Sequence, residues 1–101
     1  MEVTLQYFDS CPNWQVAEQR IKEAVKEHGL DVSLSYQLIA SPEDADRFGF
    51  HGSPSILIDG QDPFATEDTP VAFACRIYPT EHGPEPSPTV EQIAASLGQG
   101  R

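Results

Sequence analysis

Basic residues and cysteines are scarce in this chain, and it has no long apolar run. Lys and Arg total 6 against 16 Asp and Glu, for a formal net charge of -10. Nucleic acid and anionic membrane both attract basic patches, so neither is an expected partner. The acidity reads first as a solubility device. No apolar stretch approaches the roughly 20 residues that span a bilayer. The opening residues, Met1 to Phe8, carry an acid and already alternate. They lack the basic start and apolar stretch of a secretory signal, which predicts a cytoplasmic protein. Cys11 and Cys75 are too few for a disulfide scaffold or a four-thiolate zinc site. The three histidines have no metal-ligand spacing, and neither a metal nor a cofactor is expected.

What is present suits one domain over residues 1–98, with a frayed tail at 99–101. Val3, Leu5 and Tyr7 alternate with Thr4, Gln6 and Phe8, which predicts a strand ending at Asp9-Ser10-Cys11-Pro12. Trp14, Ala17, Ile21, Ala24 and Val25 recur at threes and fours, which predicts an amphipathic helix over 12–27, closed by Gly29. A second strand follows in Val32, Leu34, Tyr36 and Leu38. Ser41-Pro42-Glu43-Asp44 reads as a helix start, with the helix ending near Gly49. Ser55-Ile56-Leu57-Ile58 is apolar on both faces, which predicts a central strand. Asp59-Gly60 is a turn, and 61–70 is an acidic loop. Phe73, Cys75 and Ile77 would share one face of a fourth strand over 71–78, hairpin-paired with 55–58. The proline-rich stretch 79–88 reads as an extended connection. Val90, Ile93, Ala94 and Leu97 form a last helix, with Thr89 and Gln92 as its capping box. The order is β-α-β-α-β-β-α. It implies an α/β domain with a four-stranded mixed sheet and helices on both faces.

Two signatures resemble the thioredoxin superfamily. One is a strand running through Ser10-Cys11-Pro12-Asn13-Trp14 into a helix. The other is Gly52-Ser53-Pro54 ahead of Ser55-Ile56-Leu57-Ile58, where thioredoxins place a cis-proline. The pair also looks like small bacterial thioredoxin-like proteins labelled as relatives of alkylmercury lyase. The resemblance implies a thioredoxin-like fold, a cis Ser53–Pro54 bond, and a Ser53 backbone that pairs with a peptide or thiol substrate. It does not imply a two-thiol motif, because Trp14 stands where Cys-x-x-Cys has its second cysteine. A glutathione-binding segment is also missing ahead of the last helix.

The residues point the same way. Cys11 would sit at a helix N-terminus, where converging N–H groups favour the thiolate that does thiol chemistry. Asp9 opposes ionisation, and a protonated His51 near the proline turn would favour it. Pro12 suits the first turn of a helix. Trp14 reads as core packing or as a lid over the sulfur. Cys75 reads as a buried inert thiol beside Phe73 and Ile77, or as a thiol that resolves Cys11. The candidate site is therefore Cys11 and Cys75, with Pro12, Trp14, His51, Ser53 and Pro54 around them. The expected activity is a thiol-dependent oxidoreductase working through a mixed disulfide with a small or protein thiol or disulfide. The alternatives are a non-catalytic binding module, or capture of a soft metal or organomercurial. The thiol reading requires Cys11 to be accessible and to face Pro54.

Overall fold

The alternation of Val3, Leu5 and Tyr7 becomes strand β1 (Glu2–Tyr7) in a computed structural model that describes residues 1–98. After it come α1 (Trp14–His28), β2 (Ser33–Leu38), α2 (Pro42–Phe48), β3 (Ser55–Ile58), β4 (Tyr78–Thr80), β5 (Gly83–Glu85) and α3 (Val90–Gly98). The expected tail at 99–101 lies outside the described residues. Among the described residues the architecture is mixed α/β, with three helices, a three-stranded mixed sheet and a separate two-stranded sheet. None of the helices is long and apolar enough to cross a membrane.

The main sheet has the order β2-β1-β3, with β1 parallel to β2 and antiparallel to β3. The central strand is therefore β1, and the doubly apolar β3 lies at the edge. Asp59 fixes the register at that end. Its N–H donates to the Glu2 carbonyl at 2.8 Å, and its carboxylate accepts the Glu2 N–H at 2.9 Å. Val3 and Leu5 of β1 and Ile56 of β3 form one core with Ala17, Ile21 and Ala24 of α1 and Ile93 and Leu97 of α3. So α1 and α3 share a face of the sheet, as their threes-and-fours stripes require. A second, smaller cluster joins Ile39, Ala45 of α2, Phe50 and the half-buried Phe8.

The helix starts follow local chemistry. The Ser41 hydroxyl accepts the Asp44 N–H at 3.1 Å at the head of α2. Thr89 and Gln92 exchange both capping-box bonds, at 2.9 and 3.1 Å. Helix α1 begins at Trp14 with Asn13 as its cap, so Cys11 lies in the turn before the helix rather than in its first turn.

The predicted fourth strand is where the fold departs from the pattern. Residues 71–77 form no regular strand, bend at Phe73 and Ala74, and do not pair with β3 among the described residues. They run parallel to 50–53 instead: Ala72 N–H donates to Phe50, Ser53 N–H to Ala74, and Arg76 N–H to Ser53, at 2.8 to 2.9 Å. Asp59 and Gly60, both with positive φ, do form a tight turn, but among the described residues the antiparallel pairing beyond it is limited to the single Ile58–Gln61 bridge. The proline-rich stretch also differs from expectation. It folds as the β4–β5 hairpin, with Pro79 opposite Pro84. Antiparallel pairs alternate between bonded and non-bonded, and two residues without N–H groups fit a non-bonded pair.

One tertiary contact can be tested by titration. The Tyr36 hydroxyl on the edge strand β2 donates to the Glu18 carboxylate of α1. That hydrogen bond, and then partial loss of solvent, push the Tyr36 phenol up to about 12. Folding raises this pKa, so the contact's contribution is intact below the ordinary tyrosine value and is lost as pH rises through about 12. In Glu18→Ala, an ultraviolet tyrosinate titration should show one tyrosine returning toward about pH 10.

Candidate functional site

Strand β1 delivers the chain into a turn in which Cys11 N–H donates to the Phe8 carbonyl at 3.2 Å. From that turn the Cys11 sulfur is bonded to Cys75 in a disulfide that spans 64 positions, with Cα atoms 6.0 Å apart. Cys75 is thus not the buried inert thiol that Phe73 and Ile77 suggested. It is exposed, and so are Phe73 and Ile77. Cys11 is the buried member, at 0% exposure. Phe73, Ala74 and Cys75 are all exposed, and in this stretch it is Arg76 and Tyr78 that turn inward, the opposite phase to the expected one. A strand shifted by one residue exchanges its faces, and here the pairing with 50–53 sets the phase.

Ser53 joins the parts of the site. The Ser53–Pro54 peptide is cis. Ser53 is fully buried, and its hydroxyl accepts the Phe8 N–H at 3.4 Å. Its own N–H and carbonyl are both taken by the 74–76 segment. The Cys11 sulfur lies 3.7 Å from that same carbonyl oxygen. Cys11 therefore faces the Pro54 turn as required, but it is closed off from solvent, so the expectation of Cys11 as an accessible attacking sulfur does not hold. Gly52 lets the two segments approach. A Cβ there would stand 2.9 Å from the Arg76 Cβ and 3.1 Å from the Ala74 carbonyl, and its φ of +111 is one that L residues rarely adopt.

A buried polar network holds the segment down. The Arg76 guanidinium pairs with Asp62 at 2.6 Å, donates to the Ser55 hydroxyl at 3.1 Å, and lies 4.5 Å over the Tyr78 ring. The Arg76 and Asp62 side chains are only 9% and 6% exposed, so this is an ion pair removed from water. The Ser55 hydroxyl in turn donates to the Gly52 carbonyl at 2.6 Å, and the Tyr78 hydroxyl donates to the Pro54 carbonyl. Burial pushes the Tyr78 phenol well above its ordinary range, while the Arg76 charge pulls it partly back. Phe64 closes the far side, edge-on to Tyr78.

The remaining expected residues are spread around this centre. Pro12 is exposed beside Cys11. Trp14 is half-buried, 4.7 Å from the Tyr7 ring and packed on the main core, which is the packing role rather than a lid. The His51 ring meets the Pro70 carbonyl at 3.1 Å, and no hydrogen bond joins it to either sulfur among the described residues. Sequence reasoning missed Arg76, Ser55 and Tyr78, and it left Asp62 as part of the loop. One signal was available: Arg76 is the only Lys or Arg between Arg47 and Arg101, and it follows an acidic loop. Comparison of the chain with known protein families, with curated proteins and with solved structures gives no match.

Two substitutions, with a third as control, probe how this segment is held. Asp62→Ala should cost about 3–5 kcal/mol in urea unfolding, because it strands the buried Arg76 charge; replacing both partners by apolar residues should recover most of that. Gly52→Ala should destabilise by about 1–3 kcal/mol and slow closure of the disulfide on reoxidation. Gly49→Ala has no close neighbour, so it should cost only about 1–2 kcal/mol and leave closure unchanged.

Proposed function

We propose that the protein is a thiol–disulfide oxidoreductase whose redox couple is Cys11 and Cys75, on a thioredoxin-like scaffold. One observation carries the reading: the protein's two cysteines, 64 positions apart, are bonded beside a cis-proline turn, with one of them exposed. A disulfide with an exposed member can be attacked by an external thiol, and the resulting dithiol can reduce an external disulfide. The β1–Cys11–α1 junction and the Ser53–Pro54 turn support the thioredoxin-like reading of the scaffold. Expected partners are small or protein thiols and disulfides, in the cytoplasm.

The complete burial of Cys11 favours a second reading, in which the disulfide is a staple and the domain is a non-catalytic module. Closing a loop of 64 residues contributes about 4 kcal/mol in the chain-entropy account, ample for that role. Compartment separates the two readings: in a reducing cytoplasm a staple does not persist, whereas a redox couple cycles.

Turnover with an aromatic disulfide, with a dithiol as reductant, tests the proposal. Cys11→Ser and Cys75→Ser should each slow turnover by at least about tenfold relative to the intact pair. Undiminished turnover in either variant removes the proposal. Loss of about 4 kcal/mol on reduction, with no turnover in the intact protein, leaves the staple.

A further inference from the structure

We infer that Cys75, not Cys11, is the sulfur through which thiols and disulfides enter, and that Cys11 is the buried partner that leaves or resolves. This assignment rests on the thiol–disulfide exchange reading and reverses the order that a cysteine just ahead of a helix suggests. Burial is the first ground. Cys11 is fully buried while Cys75 is exposed, and attack on a disulfide goes to the sulfur that the incoming thiolate can reach.

The occupancy of Ser53 is the second. Both backbone groups beside Cys11 that a substrate strand would need are bonded to Ala74 and Arg76. The chain's own segment thus fills the approach to Cys11. It is anchored through the buried Arg76–Asp62 pair and the Tyr78–Pro54 bond, so it does not open without breaking them. The exposed Phe73 and Ile77 flank Cys75 with apolar surface. The substrates are therefore thiols and disulfides that approach this exposed apolar flank.

An external thiolate attacks Cys75, forming a new S–S bond as the Cys11–Cys75 bond breaks. Cys11 leaves with the electron pair and takes up the proton given up by the external thiol. A second external thiol then attacks the mixed disulfide, releasing the oxidised external pair and leaving both protein thiols reduced. In the opposite direction the Cys75 thiolate attacks an external disulfide, and Cys11 displaces the bound half by attack on Cys75.

Adduct mapping on the oxidised, folded, unmodified protein tests this. The protein is exposed briefly to 2-mercaptoethanol, quenched in acid, denatured, labelled with N-ethylmaleimide and mapped by peptide mass. The mercaptoethanol adduct should sit on Cys75 and the maleimide on Cys11, with at least about tenfold preference over the reverse. An adduct on Cys11, or an even split, overturns the assignment and leaves the exchange reading standing. No adduct on either cysteine under folding conditions overturns both.

Discussion

The parallel pairing of 72–76 against 50–53 is the constraint from which the rest of the site follows. It brings two segments about twenty residues apart into contact beside the cis-proline turn. It also decides which residues of the second segment face inward. With Arg76 N–H on the Ser53 carbonyl, Arg76 and Tyr78 are buried, while Cys75, like Ala74 before it, stays exposed as a residue. The disulfide then ties the same segment to the turn after β1. The backbone pairing, the ion pair and the sulfur–sulfur bond hold a single clasp.

The cost of that clasp lies in its charge. A guanidinium and a carboxylate are taken out of water together, which is tolerable only because the geometry is close and the hydroxyl of Ser55 and the ring of Tyr78 complete the surroundings. No buried side-chain nitrogen or oxygen is left unpartnered among the described residues. Such a network gives a loop-rich region one arrangement rather than several. The site needs that precision. A disulfide with one buried and one exposed residue keeps that asymmetry only if the segment carrying Cys75 stays in place.

Local rules read the framework well. The strands β1 and β2, the stripe of α1, the Ser41 cap and the Thr89–Gln92 capping box all depend on neighbours within four residues or on simple periodicity, and all form, although Tyr36 and Leu38 of β2 are exposed and Gln6 of β1 is buried, against the simple alternation. The stretch from 71 to 85 was read poorly. Its alternation predicted a strand, but 71–77 form none and bend at Phe73 and Ala74, and the inward positions are set by a partner about twenty residues back. Its prolines suggested an open connection, yet two of them face each other in a hairpin position that needs no N–H group. At the candidate site the Cys11 turn and the Ser53–Pro54 turn were legible because each is a local motif. Cys75 was legible as a partner only as one of two open readings, and the Arg76 anchor was not legible at all, because no local pattern says what lies across the fold.

The amino-acid order by itself determined the mixed α/β composition, the positions of three helices, the strand that begins the sheet, and the two turns that flank the site. These follow from side-chain periodicity, caps and turn residues, which act over a few bonds. Tertiary structure decided that β1 rather than β3 is central, that Cys11 is sealed and Cys75 exposed, and that Arg76 pairs with Asp62 inside. Each of these depends on which segments meet. That is settled by the summed burial and hydrogen bonding of the whole chain, and no window of residues contains it.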